Sequence, residues 1–176
     1  MTLKSFVRNN FFAGRLLTAD DLALEQKYFR EKQKLHNRAL HGFGVVSGLE
    51  VSQRPGKLII TAGLAIDCQG NEIVVAEPVE LSLPAVVSSV TYLSISYHEK
   101  ESGSVPTEDA GETFFALRIE ETFIADFGNV NLNQQHRHLK GRWQACGTPH
   151  PLAIARLRFN SGQWRLDRRF HRPAVK

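Results

Sequence analysis

The sequence is poor in cysteine, with 2 among 176 residues. That excludes a disulfide-stapled scaffold, because a chain of this length can build its own core. Cys68 and Cys146 are therefore expected as reduced thiols. Long apolar runs are missing as well. No stretch approaches the ~18 apolar residues of a membrane span, and the start, MTLKSFVRNNFF, lacks the apolar centre of a signal peptide. We expect no membrane insertion, with synthesis and assembly in the cytoplasm. Charge of one sign is scarce: the net charge is +4, and only the closing RLDRRFHRPAVK is a basic cluster, so a nucleic-acid partner is not expected. Catalytic signatures are missing too. Gly42 and Gly44 follow a helix pattern, whereas a phosphate-binding glycine loop must follow a strand and open a helix. No nucleophile elbow marks a hydrolase. No catalytic residue is assigned, and the chain is read as a non-enzyme.

What is present is a 42% hydrophobic chain with one stretch unlike the rest. Thr18-Ala19-Asp20-Asp21 reads as a capping box with aspartate in the glutamate position, its acids favoured by the helix dipole. From there Leu22, Tyr28, Phe29, Leu35, His36 and Leu40 recur at helical spacing, with Glu25, Lys27, Arg30, Glu31, Lys32 and Lys34 largely between them. Gly42 and Gly44 supply the stop. The helix so defined has about 23 residues and a length of roughly 34 Å. It either lies across a sheet or reaches beyond its own body to a partner.

The remainder alternates with a period of two. Val45–Ser52 reads as a strand, and Arg54-Pro55-Gly56-Lys57 as a turn into Leu58–Thr61. The 63–68 segment pairs back through Gln69-Gly70-Asn71 with 72–75. Pro78 and Pro84 bracket an edge strand. The segment 90–97 is the clearest alternating strand. Residues 99–112 have the composition of a mobile loop, 113–124 alternate again, and 126–147 read as irregular. A hairpin closes the chain, 152–159 with 163–166, in which Trp164 covers the core. The fold class is α+β, β-dominant: one long N-terminal helix packed on or projecting from an antiparallel β-sandwich or partly open barrel. A single domain, 1–176, is expected, with residues 1–43 as lead-in and helix and 44–176 as the β-rich body.

Three groups of residues invite a chemical reading. His136, His138, Cys146 and His150 are zinc-type donors within one short segment, although their spacing matches no standard finger. The expectation is no cofactor, with structural zinc as the alternative. His36 and His41 fall near one side of the helix. The structural reading is preferred for both, His36 bonding the backbone of the sheet and His41 complementing the dipole at the helix end. Arg38 between them is expected to be exposed, and able to meet an acidic partner. Trp143 and Trp164 are the 2 tryptophans available to a glycan-binding face.

The run RNNFFAGRLLTADDLALEQKYFREKQKLHNRALHGFGVVSGLEV, with TAGLAIDCQGNEIVV and HPLAIARLRFNSGQWRLDRRFHRP, resembles a family of small structural proteins and fibre-attachment modules of contractile phage tails and phage-tail-like injection systems. The resemblance implies a non-enzymatic adaptor at the baseplate or tail-fibre junction. It also implies several copies, with a trimer favoured, in contact with other tail, baseplate and fibre proteins of a particle. Phe11, Phe12, Tyr28, Phe29, Leu35, His36, Leu40 and Phe43 are the expected partner interface. A glycan- or receptor-binding β-module is the alternative reading, and a small hydrolase a remote one.

Overall fold

The structure, a computed structural model, describes residues 5–86, 88–106, 114–131 and 146–175. One helix, α1, spans Ala19–His36 and continues through a π-helical turn at Asn37–His41. Ten strands follow: β1 Gly44–Gly48, β2 Val51–Arg54, β3 Lys57–Ile60, β4 Gly63–Ile66, β5 Glu72–Val75, β6 Val79–Ser82, β7 Val90–Pro106, β8 Phe114–Gly128, β9 Leu152–Asn160 and β10 Gln163–Leu166. The β-dominant α+β class is as read from the sequence.

The strands form three antiparallel sheets, ordered β1-β4-β5, β2-β3-β6 and β10-β9-β7-β8. The two short hairpins that follow the helix therefore sit in different sheets. The chain changes sheet at Gly48-Leu49, where both residues take left-handed backbone angles, φ 59° and 57°. A side chain on Gly48 would run into the Ala62 carbonyl, so only glycine fits there. Leu49 accepts the costlier conformation because its side chain is fully buried in the core. One core gathers Leu49, Leu58, Ile60, Ile73, Leu93, Ile95, Leu157 and Trp164 from all three sheets. Trp164 covers one side and donates its indole N–H to the Pro84 carbonyl at 2.9 Å. β6 is an edge strand between the two prolines, as proline's missing donor requires.

Two expectations need correction. Residues 99–106, read as a loop, are strand: β7 and β8 form one long ribbon paired from Tyr92↔Gly128 out to Pro106↔Phe114. The backbone ladder extends this ribbon past the point where apolar alternation stops. The rest of that segment, 107–112, lies outside the described residues. Residues 126–128, read as irregular, are strand as well, the end of β8, while 132–145 lie outside the described residues. Of α1 no residue is buried.

The basic C-terminal cluster is folded in. Asp167 accepts from Arg156 and Arg158. Arg172 bonds the Leu49 carbonyl and Glu50. Ala174 makes a parallel bridge to Val45, through Val45 N–H to the Pro173 carbonyl at 2.8 Å and Val175 N–H to the Val45 carbonyl at 3.1 Å.

Candidate functional site

The N-terminal arm begins with a polar knot. Thr18 Oγ1 accepts from the Asp21 N–H at 3.2 Å, and Asp21 Oδ2 accepts from the Thr18 N–H at 3.1 Å. The aspartate version of the capping box thus closes as read. The Thr18 N–H and hydroxyl, both donating to Asp21 Oδ2, with Arg15 beside it, hold the pKa of the Asp21 carboxyl below its ordinary value. Asn9, buried, donates to the Asp21 carbonyl at 2.6 Å. Arg15 pairs with Asp21 and donates to the Asn10 carbonyl at 2.7 Å. The lead-in is thereby folded back along the helix, which brings Phe6 edge-on to Tyr28 with ring centroids 6.2 Å apart. Asn9 and Arg15 were not singled out from the sequence, because their partners lie in a turn whose path composition does not reveal.

At its other end the helix rests on the β4–β5 turn through polar groups. Asn37 Nδ2 donates to the Gly70 carbonyl at 3.0 Å and to Glu72 at 3.1 Å, while Gln33 donates to Glu72 at 3.2 Å. Arg38 donates to the Gln69 carbonyl. Gly70, at φ 90°, lies so close under Lys34 that a Cβ would meet the Lys34 carbonyl. The π-helical turn falls where Asn37 and Arg38 leave the helix to make these bonds. Arg30 adds an ion pair to Glu99 at 2.6 Å, and Glu99 also accepts from the Tyr97 hydroxyl at 2.8 Å. Helix and body therefore meet through hydrogen bonds near the helix's C-terminal end, and many apolar side chains of the arm stay exposed. Phe12 is 65% exposed, Leu22 55% and Phe29 61%, and Phe11, Leu16, Leu17 and Leu40 are also exposed.

Of the expected interface residues, Phe11, Phe12, Phe29, His36 and Leu40 are exposed. Tyr28 and Leu35 are half-buried, Tyr28 lying edge-on to Phe29 with centroids 5.2 Å apart. Phe43 sits apart from them and packs on the core rim. Two assignments change. His36 is exposed with its ring 5.7 Å from that of His41, so it is not turned into the sheet. Arg38 is half-buried on the β4–β5 turn instead of exposed, and burial lowers its pKa.

The zinc-type residues divide. His136, His138 and Trp143 lie outside the described residues. Cys146 and His150 do come together, and their companion is Cys68, from the turn after β4. The sequence offered Cys68 only as half of a thiol pair, since nothing in its neighbourhood announces a contact with a residue so distant in the chain. Burial, together with the neighbouring Cys146, pushes the Cys68 thiol up to about 12.

A groove of about 680 Å³ lies between β2, β9 and the C-terminal segment, bordered by Glu50, Gln53, Arg165, Asp167, Arg168 and Arg172. Its acids are committed to structural pairs, Asp167 to Arg156 and Arg158, and Glu50 to Arg172. Trp164 is buried and offers no face to a glycan.

The molecule is thus a three-sheet β-body carrying a helical arm with many exposed apolar side chains. No protein-family model matches the chain, and no curated protein matches its sequence. Solved structures share its fold. A chain of the baseplate complex from the type VI secretion system aligns with a TM-score of 0.53 at 17% identity, over 97% of this chain and 60% of that one. The crystal structure of TssK aligns with a TM-score of 0.51 at 12% identity, over 93% of this chain and 41% of that one. This chain therefore spans less than two thirds of either.

Proposed function

We propose that this protein is a non-enzymatic structural subunit of a contractile injection particle, at the baseplate or at the junction of tail and fibre. It works by self-association through its helical arm and by contact with neighbouring particle proteins. The observation that carries this reading is the arm itself: its apolar side chains are left exposed while polar bonds hold it in place. Such a surface stays in water only at a cost of about 25 cal/mol per Å² of apolar area, which a partner removes. The fold shared with baseplate chains over nearly the whole sequence supports the assignment. The sequence motifs support it independently.

The occupant of the arm is a second copy of the chain. Acids gather at the start of α1, Asp20, Asp21 and Glu25, and bases dominate its second half, Lys27, Arg30, Lys32 and Lys34, so the opposite ends of two identical helices are complementary. A closed trimer is the expected form. Deletion of the gene followed by electron microscopy of purified particles tests the role. Damaged or missing baseplates or fibres are expected, and intact particles that never contain the protein would overturn it.

A further inference from the structure

We infer that Cys68, Cys146 and His150 form a binding site for a zinc-type divalent ion, which fastens the turn beneath the helix to the segment entering β9. The three donor atoms lie within 4.8 Å of one another, and Cys68 Sγ is 3.7 Å from His150 Nδ1. Tetrahedral zinc, with Zn–S of about 2.3 Å and Zn–N of about 2.0 Å, places its ligands roughly 3.6–3.8 Å apart. The Cys68–His150 pair therefore already stands at the edge length of a coordination tetrahedron, and Cys146 lies within about 1 Å of completing its face. Both cysteines are buried and His150 is half-buried, so the ion would be enclosed, and these three supply its ligands among the described residues.

The donor chemistry selects the metal. Two thiolates and an imidazole are soft and borderline ligands, suited to zinc and unsuited to magnesium or calcium. Two thiolates also cancel the double charge of the ion, and only a neutral complex is cheap to bury. The adjacent carboxylate, Asp67, is not a ligand. Its Oδ1 accepts from the Gln69 and Asn71 N–H groups at 2.8 and 2.9 Å, and its Oδ2 from the Asn71 amide at 2.7 Å. It shapes the turn that presents Cys68 and adds a negative potential beside the ion.

The location gives the site a purpose. Gln69 and Gly70 follow Cys68 directly, and their carbonyls accept from Arg38 and Asn37 of the helix. An ion held by Cys68 therefore clamps the pad on which the arm rests. The other side of the clamp is the chain entering β9, a central strand.

The test uses the full chain, purified under reducing conditions, incubated with zinc chloride and desalted, or loaded with cobalt(II). Close to one zinc per chain is expected, and the cobalt form should show thiolate-to-metal charge-transfer absorption in the near ultraviolet. Cys68→Ser and His150→Ala should each bind at least about tenfold more weakly, since even an outer-shell partner contributes that much. His36→Ala/His41→Ala should bind like the parent. Should the ligand variants not fold, stoichiometry and the cobalt spectrum of the parent chain still decide. Uptake far below one equivalent, cobalt binding without the thiolate band, or a Cys68–Cys146 disulfide in place of metal would each overturn the site. So would a Cys68→Ser chain that keeps its full equivalent.

Discussion

Asn37 shows how much of the arm's position rests on single polar groups. Its buried amide donates to Gly70 and Glu72 and accepts from Gln33 at 3.2 Å. Removing it strands the Gly70 carbonyl beneath the helix, so Asn37→Ala should cost about 1–3 kcal/mol in chemical denaturation. Hydrogen exchange should rise first in the last helical turns. Asp167 plays the corresponding part for the C-terminal segment. Its carboxylate is held by Arg158, the Arg169 N–H and Arg156, and its pKa falls from 3.8 to about 2. A depressed carboxylate stabilises the fold above its unfolded value and stops doing so as pH falls through the folded one. Thermal stability should therefore drop between about pH 4 and pH 2, and Asp167→Asn should lose that part of the drop while being less stable at neutral pH. Neither role was legible in the sequence. An asparagine within a helix pattern and an aspartate among arginines look like ordinary surface until the chain folds Gly70 and Arg156 against them.

The helix is the element the sequence announced most fully. Its cap at Thr18 and its stop at Gly42 follow from local chemistry, and local chemistry is what a linear pattern records. Its apolar residues were visible too, but not that they stay exposed, because that depends on Gln33, Asn37 and Arg38 fixing the helix to the β4–β5 turn by its C-terminal end. This gives a sharp contrast between substitutions. Phe29→Ala in the monomer should change stability by no more than about 0.5 kcal/mol, as for an exposed position. Leu157→Ala in the core should cost about 2–5 kcal/mol. If Phe29→Ala destabilises the isolated chain as much as Leu157→Ala, the helix is a core element and the assembly reading of it fails. The β7–β8 ribbon carries the opposite lesson. Glu99, Lys100 and Glu101 lack apolar alternation and so suggest a loop, yet backbone pairing with Glu121, Glu120 and Ile119 extends the strands through them. Hydrogen bonds between main chains leave no mark on composition.

At the scale of the whole molecule, hairpins could be read from their turns, but the division into three sheets could not. It is decided at Gly48-Leu49, where two left-handed residues send β2 away from β1 and drop Leu49 into the shared core. Self-association belongs to this scale. Multi-angle light scattering at micromolar concentration should find an oligomer, a trimer by expectation, and Tyr28→Ala/Phe29→Ala should shift it towards monomer with the circular dichroism unchanged. A parent chain that is monomeric under those conditions would remove the proposal. On the proposed role in a contractile particle, the parallel bridge between Val45 and Ala174 acquires a mechanical meaning. Tension drawn between the root of the arm and residue 175 reaches Val45–Pro173 and Val175–Val45 along the strand direction, so both bonds are sheared together. Gly44 and Val45 are also paired with Ile66 and Ala65 of β4, so a pull on the arm would be shared between this latch and the first sheet.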